Sequence, residues 1–262
     1  MRDDDEALFL NGPEYLRFGY RVRPDARKRK PRHFIGGKPH HANAWCGACD
    51  RPLLLLWDID CTDPLFKRDG RPVFGKLRRL PLYFCWTCST WLAYQVSGRQ
   101  FTMIKQNPTA AFQEDWPYPN YPRELPRVGA VLEAIPPDIE KICLVGDEVG
   151  EDWLTAYDRK RFAAWEGAPR FSDLHRQQFG GLPHLEQDHE KHMCPNKRCG
   201  WTKKYANYAY GGMKELASVH NDPQKHLPLI EPADGEDSNE WVQVVFWICP
   251  ACLTVRADQR CD

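Results

Sequence analysis

Between Pro52 and Asp58 the chain runs Leu53-Leu54-Leu55-Leu56-Trp57 without a polar break. A run this short, bounded by a proline and an acid, predicts a strand buried on both faces rather than an amphipathic one. Leu82-Tyr83-Phe84 and the stretch from Trp241 to Ile248 are rich in the aromatic and β-branched residues that fit a pleated sheet. Each ends on a cysteine pair. The one helical pattern lies at Asp152 to Trp165, where Trp153, Leu154, Tyr157, Phe162 and Trp165 recur mostly at steps of three to five, with the acids of 147–152 placed to cap its start. Phe171 to Phe179 is consistent with a second short helix. From Asn107 to Pro126 the chain carries Pro108, Pro117, Pro119, Pro122 and Pro126 with Trp116, Tyr118 and Tyr121. Proline at that density opposes a ladder and favours an extended, polyproline-like loop wrapped over the core.

These elements recur in order. Phe34-Ile35-Gly36-Gly37-Lys38-Pro39-His40 returns as Phe179-Gly180-Gly181-Leu182-Pro183-His184. A cysteine pair follows, then an apolar segment closing on Asp-Pro (Leu53 to Pro64, Met213 to Pro223), then an aromatic strand running into C-x2-C. The spacing between equivalents widens steadily from Gly37/Gly181 to Cys85/Cys249, as insertions in a duplicated unit require. Gly-Gly-x-Pro suits a tight turn, because glycine tolerates positive φ and proline fixes its own, and it is expected to place the chain at a sheet edge. Asp-Pro biases Asp63 and Asp222 to extended geometry and ends the strand. The fold expected is α+β, mainly β: a basic arm (1–33), a first repeat (34–105), a Pro-rich and helical linker (106–178) and a second repeat (179–262).

The chemistry lies in the cysteines. Cys46-x2-Cys49 is answered by Cys85-x2-Cys88, and Cys194-x4-Cys199 by Cys249-x2-Cys252. Each set supplies four thiolates, the ligand number of a closed tetrahedral structural zinc site, so two zinc ions per chain are expected. The stretches from Cys49 to Cys85 and from Cys199 to Cys249 exceed the ~15–20 residues of a compact ribbon, so each site staples a hairpin with an enlarged loop. Phe84, Trp86, Trp91 and Trp247 are expected to cover the sites. Cys61, Cys143 and Cys261 are left over and read as buried small hydrophobes or, for Cys261, a tail thiol. Whether His192 replaces one thiolate of the second set stays open at this point.

Eleven cysteines in 262 residues is too sparse and too odd a count for a disulfide scaffold. The N-terminus has no apolar signal-peptide core, and no apolar run approaches the ~20 residues of a membrane span. A cytoplasmic, reducing setting is expected, where thiolates hold metal.

Lys plus Arg equals Asp plus Glu at 36 each, so no global field draws the protein to nucleic acid. The one local footprint is the basic stretch Arg17 to Arg32, read as a solvated arm. Glu231 to Glu240 reads as an acidic excursion in the second ribbon. His40-His41 and the group His184, His189, His192 with Glu186 and Glu190 form no His-Glu-x2-His, and no Gly-x-Ser-x-Gly or phosphate loop occurs, so no catalytic or cofactor-binding residue is assigned.

The order Gly-Gly-x-Pro, C-x2-C, Leu-rich strand, aromatic strand, C-x2-C resembles the programmed cell death 2 family, and the Gly-Gly-x-Pro and Asp-Pro pieces also resemble the bacterial YwqG-like family. The resemblance covers roughly Phe34 to Val96 and Phe179 to Cys261. It implies a chaperone-like activity that holds a newly made small-subunit ribosomal protein. The chain departs from that pattern in its complete cysteine set in both halves and its long linker, so a protein-binding role carries over better than the particular client. The readings stand in order: a non-enzymatic zinc-binding adaptor of the cytoplasm, a toxin-immunity protein, a nucleic-acid-binding zinc-ribbon protein, a zinc hydrolase.

Overall fold

In the computed structural model, which describes residues 19–25, 30–68, 71–85, 89–108, 123–140, 142, 151–166, 177–181, 192–200, 212–220 and 243–260, the Leu53–Trp57 run is buried throughout, at no more than 3% exposure. It forms most of β3 (Leu54–Asp60). The other strands are β1 (Tyr20–Pro24), β2 (His33–Gly37), β4 (Lys67–Arg68), β5 (Arg71–Pro72), β6 (Arg79–Phe84), β7 (Ser89–Ser97), β8 (Gln100–Pro108), β9 (Leu125–Ala134), β10 (Gln178–Phe179), β11 (Lys214–His220), β12 (Gln243–Ile248) and β13 (Val255–Arg260). The described residues are thus mainly β. Eleven of these strands form one sheet in the order β6-β3-β2-β9-β1-β10-β11-β12-β13-β7-β8, while β4 and β5 make a separate small hairpin.

Two ladders in this sheet share a register. Leu54 and Leu55 of β3 face Phe84 and Tyr83 of β6, Leu56 is skipped, and pairing resumes from Trp57–Leu82 to Asp60–Arg79. Lys214 and Glu215 of β11 face Ile248 and Trp247 of β12, Leu216 is skipped, and pairing resumes from Ala217–Phe246 to His220–Gln243. A bulge adds one unpaired residue and bends its strand, so both strands bend at the same point. The approach to each is alike too: Leu53 N–H donates to Ala44 O (2.9 Å) and Met213 N–H to His192 O (3.0 Å). Across each ladder a polar pair occupies matching positions. Arg79 Nε donates to Asp58 Oδ1 (2.9 Å), and Gln243 Nε2 donates to Ser218 Oγ (2.6 Å).

Strands that precede one cysteine set pair beside the other. β1, which precedes the first cysteine set, pairs with β10 beside the second. β9, which precedes the second set, pairs with β2 beside the first. β1 and β9 then pair with each other over five residues, Tyr20–Ala134 to Pro24–Ala130. At the other end of the sheet β7 pairs with β13. One sheet takes strands from all four expected segments.

Several expectations are corrected here. The stretch read as a solvated basic arm supplies β1, a central strand in which Arg21 and Val22 are buried; Arg21 stacks its guanidinium 3.6 Å from the Trp165 ring. The Gly-Gly turns do not sit at sheet edges, because β2 lies between β3 and β9 and β10 lies between β1 and β11. They are needed there for close approach: Gly36 (φ 65°) would drive a Cβ into the Pro126 carbonyl, and Gly181 (φ 68°) into Gly19 and Glu140. The Pro-rich stretch joins ladders at both ends, since Pro108 closes β8 and Pro126 lies in β9; Trp116, Tyr118 and Tyr121 lie outside the described residues. Gln178–Phe179 is strand, not helix. The expected helix is present as Ala156–Glu166 after a 3-10 turn at Glu151–Trp153. Its cap is Thr155 rather than the earlier acids: Asp158 N–H donates to Thr155 Oγ1 (3.1 Å) and Thr155 N–H to Asp158 Oδ2 (3.0 Å), a reciprocal capping box. Leu154 and Phe162 pack with Ile135, Ile139 and Ile142 in a satellite core. The acidic stretch 231–240 is outside the described residues. No described helix is long and apolar enough to cross a membrane.

β6 ends the sheet order, yet its outer backbone is not bare. The buried Tyr94 hydroxyl of β7 donates to Pro81 O and accepts from Tyr83 N–H, both at 2.8 Å. A side-chain hydroxyl thus does the work of a missing ladder rung. Tyr94→Phe removes it and leaves a buried donor and acceptor without that partner, which should cost about 1–3 kcal/mol in urea unfolding with little change in m-value. A second expectation follows from the exchanged strands: after cleavage at a protease site placed within 109–122, the two pieces should stay together on size exclusion and separate only in denaturant. Separation in native buffer would contradict that pairing.

Candidate metal centres

The second cysteine set closes completely. Cys194, Cys199, Cys249 and Cys252 place their sulfurs within 4.8 Å of one another, with Cys194–Cys252 and Cys199–Cys249 each 3.6 Å apart. A disulfide needs about 2.05 Å, whereas four ligands at a metal–sulfur distance of about 2.3 Å in a tetrahedron stand about 3.8 Å apart. Trp247, Val245 and Met213 pack around the sulfurs, so the expectation that Trp247 covers the site holds. In the first set, Cys46, Cys49 and Cys85 form an equivalent group, with Cys49 and Cys85 sulfurs 3.7 Å apart. Cys88 lies outside the described residues. Both groups can hold a metal ion.

Local backbone geometry explains why the sulfurs converge. At the first knuckle Cys46 N–H donates to Arg51 O (2.8 Å), Asp50 N–H returns to Cys46 O (3.1 Å), and Asp50 takes a positive φ of 55°. At the second, Cys249 N–H donates to Thr254 O (2.8 Å), Leu253 N–H returns to Cys249 O (2.8 Å), and Leu253 takes the same φ of 55°. A non-glycine residue at positive φ is uncommon, and two in matching places show that one turn is built twice. The first knuckle leads into β3 and the second into β13.

Hydrogen bonds to sulfur complete each group. Ala48 N–H (3.4 Å) and Gln106 Nε2 (2.8 Å) donate to Cys46 Sγ. Thr254 Oγ1 lies 3.0 Å from Cys252 Sγ, and Asn196 Nδ2 donates to it at 3.9 Å. Cys252 is pulled far below the usual thiol range because Cys194 and Cys249 donate to its sulfur, with Thr254 assisting against burial. Cys249 is pushed far up by its bonds to Cys194 and then Cys252, and by burial. A cation in the centre of the set takes the place of the protons shared between such close sulfurs.

The histidine question has a definite outcome: all four thiols of the second set meet without His192. His192 instead stacks edge-on to Trp247 (4.4 Å between centroids) and faces Asp258. Cys61 is buried apart from both groups, and burial pushes its thiol well up, which suits a small core residue. Cys143, Cys261, Trp86, His184 and His189 lie outside the described residues. Trp91 is half-buried between Arg256 and Lys105 (4.4 and 5.2 Å), and Phe84 lies in the same buried cluster as Cys46 and Cys85 of the first set.

A polar network beside the first Gly-Gly turn had no signal in the sequence. Asp58, nearly fully buried, is held by Arg79 and by His40 Nε2 (2.9 Å). His41 Nε2 donates to Gly98 O (3.2 Å), which leaves Nδ1 to accept from the Tyr83 hydroxyl (2.9 Å). His33 accepts from Asp60 N–H and donates to Asp63; burial holds its pKa below the ordinary histidine value, so it is neutral at pH 7. These contacts tie the turn to β3 and β6. Only the placement of His40 and His41 beside a turn was legible beforehand. Comparison with protein-family models, curated proteins and solved structures finds no match to the chain.

Burial pushes the Asp58 carboxyl up, but hydrogen bonds from His40 and Arg79, and the Arg79 charge, outweigh it and hold the group below the usual range. A depressed carboxyl contributes stability that is present above its unfolded pKa of about 4 and lost as pH falls through the folded value. Urea midpoints at neutral pH and at about pH 3 should therefore differ less in Asp58→Asn than in the parent chain.

Proposed function

We propose that the chain is a zinc-stabilised, non-enzymatic protein-binding adaptor built from two copies of one unit. The observation that carries this reading is the four-thiolate closure of the second set. A tetrahedron filled by cysteine sulfur keeps no open position for substrate, and such sites are structural. Soft thiolate ligands in this number favour zinc over the oxygen-seeking cations. The first set, completed by Cys88, is the second zinc site. Duplication is supported by the shared register of the two bulged ladders and the matching Asp58–Arg79 and Ser218–Gln243 pairs.

Protein binding is favoured over nucleic-acid binding because the main basic stretch is partly spent inside the sheet, where Arg21 stacks on Trp165. β8, nine residues long, is the last strand of the sheet order among the described residues, the position at which an extended client segment is added to a sheet. The resemblance to the programmed cell death 2 family supports a chaperone-like version of this role, with a ribosomal protein among the candidate clients.

Elemental analysis of the full chain should give about two zinc per molecule, and Cys249→Ser should remove one while leaving the first site loaded. Affinity purification from the native cell should then return a stoichiometric protein partner that is lost when zinc is chelated. Zinc-free protein of unchanged stability would overturn the metal reading. A zinc-dependent turnover without a protein partner would overturn the adaptor reading.

A further inference from the structure

The β7–β8 hairpin touches both metal centres through two glutamines. Gln95 of β7 donates from Nε2 to Cys252 O at 2.6 Å, reaching the second knuckle across 157 residues of sequence. Gln106 of β8 grips the first knuckle with both ends of its amide. Its Nε2 donates to Cys46 Sγ (2.8 Å), and its Oε1 accepts from Gly47 N–H (3.1 Å). The two strands pair along most of their length, from Ser89–Pro108 to Ser97–Gln100. β7 is also paired with β13, which leaves the second knuckle directly.

We propose that Gln95 and Gln106 are positioning residues of the two zinc sites, and that the hairpin carrying them couples metal binding at one site to metal binding at the other. The proposal rests on the zinc reading above. The physical basis is local. A cysteine knuckle without metal gathers sulfurs that cannot all ionise, so metal loss loosens the turn. A loosened second knuckle withdraws the Cys252 carbonyl from Gln95 and frays the start of β13, and with it the β13–β7 ladder. β8 is held to the sheet through β7, so the Gln106 amide is then presented less firmly to Cys46. Donors to a metal-bound sulfur or to its loop orient the ligand, and losing such partners typically weakens metal binding by about 10–100-fold. A continuous ladder between two elements that each have ordered and loosened states is the kind of connection that carries coupling.

The test uses zinc-loaded full-length protein titrated with a competing chelator, pulse-alkylated, and read cysteine by cysteine by mass spectrometry. In the parent chain, Cys46, Cys49 and Cys85 should become reactive together with Cys194, Cys199, Cys249 and Cys252. Gln95→Leu touches no ligand of the first site, yet it should lower the chelator concentration that exposes Cys46, Cys49 and Cys85 by about tenfold, within the usual range of coupling between sites. Gln106→Leu should do the same to the second set. If either variant loads poorly, Gln95→Asn and Gln106→Asn, which keep an amide on a shorter stem, should give smaller shifts in the same direction. Shifts confined to the set each glutamine touches overturn the coupling but leave the zinc sites standing. A parent chain whose cysteines are all reactive before chelator is added overturns the zinc reading and this proposal together.

Discussion

Four sulfurs gathered in a largely buried space cannot all carry charge without a cation among them, and the ends of the strands are built around that constraint. Each knuckle is also the turn that launches a strand: β3 begins after the bridge between Trp45 and Pro52, and β13 begins directly after Thr254. Where the sulfurs stand therefore decides where those strands start. Their registers against β6, β12 and β7 follow from it, since a slip of one residue would exchange the two buried faces of β3.

The two ladders that carry these registers differ in chemistry while sharing geometry. In one, Asp58 and Arg79 form an ion pair extended by His40; in the other, Ser218 and Gln243 make a neutral bond. The charged version ties down the loop after the first Gly-Gly turn. It also gives the first ladder a contribution to stability that is lost in acid. The two ladders thus share a bulged geometry and differ in charge.

What the sequence made legible was local. The all-buried β3, the strands running into cysteine pairs, the positive-φ glycines and the sulfur sets all follow from short-range pattern, and so does the helix, apart from its cap at Thr155. What stayed hidden was exchange between distant stretches. Tyr20–Pro24 reads as part of a charged run because Arg21 and Arg23 alternate with Tyr20 and Val22, and nothing local shows that Arg21 stacks on the Trp165 ring. Leu125–Ala134 opens with a proline and holds Gly129, so it reads as loop until β1 and β2 are placed on either side of it. The amide grip of Gln106 on Cys46 was beyond reach for the same reason: glutamine carries no spacing rule.

The exchange of first strands has a consequence for how the chain is made. β1 leaves the ribosome first, but its partners β9 and β10 follow more than a hundred residues later. At a synthesis rate of about 5–20 residues per second, β1 waits on the order of ten seconds for those partners. Contacts of such sequence separation also form slowly by themselves. The arginines of β1 then act during synthesis as well as in the finished sheet: a strand that alternates charge with apolar side chains resists pairing with the wrong neighbour while it waits for the right one.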